Sequence, residues 1–69
     1  MNRVREYRER TGLSQQKLAR LVAVPASNLS DVELHKREAW PLLRRRLARA
    51  LKVPESELFP PTEGGNNGR

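Results

Sequence analysis

The sequence has no cysteine and a single histidine, His35, among its 69 residues. Disulfides and thiolate metal sites are therefore excluded, and one histidine without partners at ligand spacing does not predict a metal centre. The chain also offers no nucleophile–base pair, no glycine-rich phosphate loop and no apolar run as long as a membrane span. These absences argue against an enzyme, a cofactor and a membrane-spanning protein. A cysteine-free chain suits a reducing cytosol, so we expect a cytoplasmic protein.

Positive charge, most of it from arginine, is what the chain has in excess. The formal net charge is +6, and 13 of the 14 basic residues lie between Arg3 and Lys52, together with five of the eight acidic ones. The resulting +8 over this part of the chain favours polyanionic partners, because each neutralised phosphate releases condensed counterions. Such a composition also fits an RNA-binding, ribosomal or membrane-surface protein. Net charge therefore favours a polyanionic partner but does not identify it.

Hydrophobic periodicity predicts an all-α fold of five short helices. The first helix ends near Arg10. Gly12 follows shortly after and can adopt the positive φ that commonly ends a helix. The inner face of the first helix carries residues at helical spacing, namely Val4, Tyr7 and Thr11. Ser14 is suited to cap the second helix, and Pro25 pre-sets the first turn of the third. Trp40-Pro41 opens the fourth helix after a polar break.

The apolar stripes of these helices predict one core in one domain, residues 1–59. The inward residues of the second to fifth helices are Leu18, Ala19, Val22, Leu29, Val32, Leu43, Leu47, Ala50, Leu51, Leu58 and Phe59. From Pro60 onward the sequence has nothing to bury, so we expect 60–69 to form a disordered C-terminal tail.

The second and third predicted helices are separated by a break of a few residues around Ala23, and one apolar seam serves both. Two short helices arranged in this way are typical of a helix-turn-helix, a unit that presents its second helix to a groove in DNA.

Residues that extend over nearly the whole predicted domain resemble one known family. They are Arg8, Gly12-Leu13-Ser14-Gln15, Leu18-Ala19, Val24, Leu29, Val32-Glu33, Leu47-Ala48, Ala50-Leu51, Val53 and Leu58-Phe59. At these spacings the chain is similar to the Cro and phage-repressor type of helix-turn-helix domain, the family of lambda repressor. The resemblance implies a five-helix lambda-repressor-like bundle in a prokaryotic or phage protein associated with the nucleoid. It also implies a transcriptional regulator, a repressor or control protein, that binds double-stranded DNA as two copies on a palindromic site.

The resemblance assigns roles to residues whose type matches the family. It places a buried ion pair on Arg8 and Glu33, which would tie the first helix to the end of the third. It implies contacts with the DNA backbone from Ser14, Gln15, Lys17, Lys36, Arg37 and Arg44. If Leu29 and Val32 point inward, the side of the third helix that such a domain turns toward the bases carries Ala26, Ser27, Ser30 and Asp31, with Asn28 on one flank.

That base-facing set contains no arginine, lysine or glutamine. The strongest direct readout uses arginine on guanine or Asn/Gln on adenine, and here Asn28 alone has such a side chain. Asp31 can accept from cytosine N4, but nearby phosphates would repel it. We therefore expect recognition to depend on DNA shape and on loop contacts as well as on base contacts.

Other departures from the family leave a second hypothesis open. Ala23 and His35 stand where relatives have glycine. If Ala23 keeps the left-handed conformation, this costs about 1 kcal/mol, whereas His35 tolerates that region better than most residues. Three apolar residues, Leu21, Leu34 and Trp40, stand where relatives have polar ones. If exposed together, they would suit a protein partner. The alternative is thus a protein-interaction module, such as an anti-repressor, an antitoxin-like partner or an adaptor, with weak or non-specific DNA binding.

Overall fold

The computed structural model describes residues 2–60, and this part of the chain contains five helices and no strand. The helices are α1 (Val4–Thr11), α2 (Gln15–Leu21), α3 (Ala26–Glu33), α4 (Pro41–Leu51) and α5 (Glu55–Leu58). The predicted all-α class and the helix order are therefore confirmed. The predicted tail lies, from residue 61 onward, outside the described residues. Over the described range, no helix is long and apolar enough to span a membrane.

The helix ends form where the sequence places them. Gly12 ends α1 with φ 77°, and its amide donates to the carbonyl of Glu9 at 3.1 Å. Ser14 caps α2, since its Oγ accepts a hydrogen bond from the amide of Lys17 at 3.1 Å. Pro41 is the first residue of α4. A backbone N–H at this position would have no acceptor within the helix, so the missing N–H of proline removes no helical hydrogen bond.

Within residues 2–60, three residues other than glycine adopt positive φ. Ala23 has φ 60° in the turn between α2 and α3, and His35 has φ 63° just after α3, so both residues adopt the left-handed conformation at the positions where relatives have glycine. Lys52, which ends α4, has φ 61° and was not anticipated. A left-handed conformation costs a residue with a Cβ roughly 1–2 kcal/mol relative to its preferred regions. The packing of the helices around each of these three turns therefore has to offset this cost.

The core is built from the predicted inward faces. The fully buried side chains come from all five helices or their ends and are Val4, Leu18, Val22, Leu29, Val32, Leu43, Leu47 and Leu58. Ala50 and Phe59 are half-buried against this core. The prediction that Thr11 faces inward is wrong: Thr11 is exposed. Its Oγ1 donates instead to the carbonyl of Tyr7 one turn earlier at 2.6 Å, which satisfies the hydroxyl at the surface.

A group of polar contacts joins α1 to the short α5. The guanidinium carbons of Arg3 and Arg10 lie 5.2 and 4.9 Å from the centroid of the Tyr7 ring. Its hydroxyl donates to Glu57 Oε1 at 2.9 Å. Glu6 accepts from both arginines, and the hydrogen bonds from Arg3 lower the pKa of the Glu6 carboxyl below its ordinary value. These contacts are largely exposed, so they orient α5 more than they stabilise the fold.

Candidate nucleic-acid interface

An ion pair connects α1 to the last residue of α3. Arg8 Nε donates to Glu33 Oε2 at 2.7 Å, and Arg8 Nη2 donates to Glu33 Oε1 at 3.2 Å. The two side chains are only 13% and 2% exposed. The ion pair implied by the resemblance is thus present, in the two-pronged geometry that best satisfies a buried carboxylate.

The same carboxylate also holds the start of α2. Gln15 Nε2 donates to Glu33 Oε1 at 3.1 Å, so Glu33 accepts three hydrogen bonds in all. The third nitrogen of the guanidinium group, Arg8 Nη1, donates to the carbonyl of Leu13 in the loop before α2, at 2.9 Å. Arg8, Glu33 and Gln15, which we call the Glu33 network, therefore fix the N-terminus of α2 relative to the end of α3.

The N-terminus of α2 carries the features of a phosphate-binding site. Within residues 2–60, the backbone amides of Gln15 and Gln16 have no hydrogen-bond acceptor. Lys17 is exposed and makes no ion pair in the same range. Free amides at the positive end of a helix, next to a cation, attract a phosphate. Gln15 contributes its backbone amide here, since its side-chain amide is already bonded to Glu33.

The outer face of α3 presents the residues predicted to lie nearest the bases. Ser27 is exposed, whereas Asn28, Ser30 and Asp31 are half-buried, and none of these four side chains is hydrogen-bonded within the described part of the chain. Ala26 is half-buried and packs partly against the core. The opposite face is buried through Leu29 and Val32. The free polar groups of α3 therefore lie on one side of the helix.

Basic residues flank α3 on its C-terminal side. Lys36 and Arg37 are exposed in the loop between α3 and α4, and neither forms an ion pair among residues 2–60. Arg44 is half-buried instead. Its Nε donates to the carbonyl of Ala39 at 3.1 Å, and its guanidinium lies 5.1 Å from the centroid of the Phe59 ring. Arg44 thus braces the end of the loop that carries the two free cations.

The three apolar residues singled out in the sequence are exposed. Leu21 is 62%, Leu34 52% and Trp40 36% exposed. Leu42, at 45%, is a fourth exposed apolar side chain that sequence reasoning missed. It stands next to Leu43, which is buried as its helical spacing to Leu47 predicted, so Leu42 lies on the outer side of α4.

Comparison with known proteins identifies the family. A family model described as a helix-turn-helix domain matches residues 2–58. The chain belongs to the helix-turn-helix domain family. This helix-turn-helix domain is also similar to a solved structure, that of the restriction-modification controller protein C.AhdI from Aeromonas hydrophila, with a TM-score of 0.78 and 38% sequence identity. The match covers 83% of this chain and 86% of that one.

No curated protein sequence matches the chain significantly. The family match and the solved structure nevertheless confirm the expected resemblance, with α2 and α3 as the helix-turn-helix.

Proposed function

We propose that this chain is a sequence-selective, DNA-binding transcriptional regulator that places α3 in the major groove. One observation carries the proposal. The free polar face of α3 is flanked, at the C-terminal end of the helix, by two groups suited to phosphates, the uncovered N-terminus of α2 and the loop cations Lys36 and Arg37. The Glu33 network joins the first of these groups to α3. This is the arrangement that a helix-turn-helix uses on a duplex.

Two sets of residues contact DNA in this proposal, one the backbone and the other the bases. Backbone contacts fix the position of the domain on DNA without reading sequence, and they fall to Ser14, Gln15, Lys17, Lys36, Arg37 and Arg44. Base contacts fall to Ala26, Ser27, Asn28, Ser30 and Asp31 on α3. Because Asn28 is the sole side chain here suited to a two-pronged contact with adenine, groove shape contributes a large part of the selectivity.

Two copies on a palindromic site are part of the proposal, since a single module of this size buries little DNA surface. The domain acts by occupying its site in the bacterial or phage cytoplasm, without catalysis and without a cofactor. Its likeness to a restriction-modification controller protein supports a control protein or repressor as the regulatory role.

Selection of binding sites from a random duplex library tests this function. The purified chain is incubated with the library at physiological salt, and retained duplexes are sequenced over several rounds. We expect enrichment of one palindromic motif. Retention of DNA without any motif would contradict the proposal and favour the alternative, a protein-interaction module that binds DNA non-specifically.

A further inference from the structure

A groove of about 370 Å³ lies between the C-terminal end of α2 and α4. It is lined by Leu21, Ala23, Arg46, Arg49 and Ala50. None of the residues assigned above to DNA contributes to it. Its volume falls within the range of about 300–1,000 Å³ that ligand sites occupy in proteins. The groove is therefore a second surface of the domain, separate from the proposed DNA interface in the residues that form it.

The floor of the groove is apolar. Leu21, the last residue of α2, is 62% exposed and is the most exposed of the large apolar side chains in residues 2–60. Ala23 and Ala50 also line the groove and add small apolar side chains to its surface. Covering such a leucine with another apolar side chain removes apolar area from water, which is favourable by about 25 cal/mol for each Å².

The rim of the groove is positive. Arg46 and Arg49 are three residues apart on α4, so they lie on the same face of the helix. Arg46 Nη1 donates to the carbonyl of Val22 at 3.3 Å, which orients its guanidinium beside the groove. Arg49 makes no ion pair or side-chain hydrogen bond within the described range.

No acidic residue offsets this charge on the two helices that form the groove. The ionisable residues of α2 and α4 are all basic, and they are Lys17, Arg20, Arg44, Arg45, Arg46 and Arg49. An occupant of the groove must therefore bring negative charge next to an apolar group.

We propose that this groove docks a segment of a partner protein in which an apolar side chain is flanked by carboxylates. The apolar side chain covers Leu21, and the carboxylates accept hydrogen bonds from Arg46 and Arg49, which can each offer a planar pair of N–H groups. A DNA phosphate fits the rim but not the floor, because it has no apolar group to place on Leu21. Charge and apolar surface together thus favour an acidic peptide over a nucleic acid.

Short fluorescein-labelled peptides test the chemistry of the occupant. The probe has a central leucine or phenylalanine flanked by glutamates, and one control peptide replaces the glutamates with glutamine and another replaces the apolar residue with serine. We expect the probe to bind the full chain in fluorescence anisotropy. Each control peptide should bind at least about tenfold more weakly than the probe. In NMR spectra, the probe should shift the backbone amides of Leu21, Ala23 and Ala50. Equal binding of all three peptides, or no binding by the probe, would overturn the proposal.

Variants of the protein test the location. Arg49→Glu and Leu21→Ser should each weaken probe binding about tenfold. Arg45→Glu is the matched control, since Arg45 is exposed on α4 but does not line the groove. Thermal melting confirms that all three variants fold. If Arg45→Glu weakens binding as much as Arg49→Glu, the effect is one of general charge and the proposal is wrong. It is equally wrong if duplex DNA shifts the groove amides and displaces the probe.

Discussion

Replacing Arg8 with alanine removes the main partner of a buried carboxylate. Glu33 is 2% exposed and would keep one side-chain donor, Gln15 Nε2 at 3.1 Å. The carbonyl of Leu13 would lose its hydrogen bond from Arg8 as well. Because water cannot readily reach Glu33, the variant must either bury an unpaired charge or open the contact between α1 and α3.

The expected loss is large for a domain of this size. Removing one partner of a buried ion pair lowers the free energy of unfolding by about 3–5 kcal/mol. Small domains have about 0.05–0.15 kcal/mol of stability per residue, so the loss is a large fraction of the total. Since each kcal/mol shifts the melting temperature by about 4–8 °C in this size range, Arg8→Ala should melt at least about 12 °C lower.

Thermal and urea unfolding followed by circular dichroism measure this loss. Arg5→Ala is the matched control on the same helix: its ion pair with Glu9 is 3.1 Å long, but the side chains are 64% and 57% exposed. That variant should change stability by about 0.5 kcal/mol or less. A double variant, Arg8→Met with Glu33→Leu, should recover most of the loss because it leaves no buried charge. A loss of less than about 1 kcal/mol in the free energy of unfolding of Arg8→Ala would refute the reasoning, since burying a charge without its partner costs more than this.

Three further predictions concern binding, backbone strain and pH. Lys36→Ala with Arg37→Ala should weaken binding to every duplex and reduce the slope of log K against log salt by up to about two, as measured by anisotropy; an unchanged slope would exclude these phosphate contacts. Ala23→Gly should raise the free energy of unfolding by up to about 1 kcal/mol in urea titrations, because Ala23 has φ 60°; destabilisation would show that the turn is not strained. The pKa of Glu6 is lowered by Arg3, so its contribution is present above the ordinary carboxyl pKa and disappears as pH falls through the lowered value. Melting curves of Glu6→Gln should accordingly fall less on acidification than those of the unchanged chain, and parallel curves would contradict this.

The sequence predicted the features that depend on local signals. Ser14 marks the start of a helix because its side chain accepts a hydrogen bond from a free backbone amide, and Gly12 marks the end of one because, without a Cβ, it adopts positive φ at little cost. The left-handed conformation of Ala23 was indicated by the family resemblance, since relatives have glycine at this position, and not by its own side chain. Lys52 gave no such signal, since nothing in its side chain favours a left-handed conformation. Thr11 has the spacing of an inner residue, yet its hydroxyl bonds to the carbonyl of Tyr7 at the surface.

The candidate site was predicted as a set of residues but not as a network. Residue types and a family resemblance implied the pair Arg8 and Glu33. They did not show that Gln15 donates to the same carboxylate, or that Arg44 contacts Ala39 and the Phe59 ring. Such contacts depend on how helices pack against each other, and residue spacing along one helix carries no information about them.

The most direct test of the account compares selected binding sites for the unchanged chain and for variants of α3. Ser27→Ala and Asn28→Ala should each change the preferred bases at symmetric positions of the palindrome, because the proposed docking places these side chains nearest the bases. The double variant of Lys36 and Arg37 should select the same motif with lower affinity, since backbone contacts carry no sequence information. If all of these proteins select one identical motif, α3 does not read the bases and the central claim is wrong.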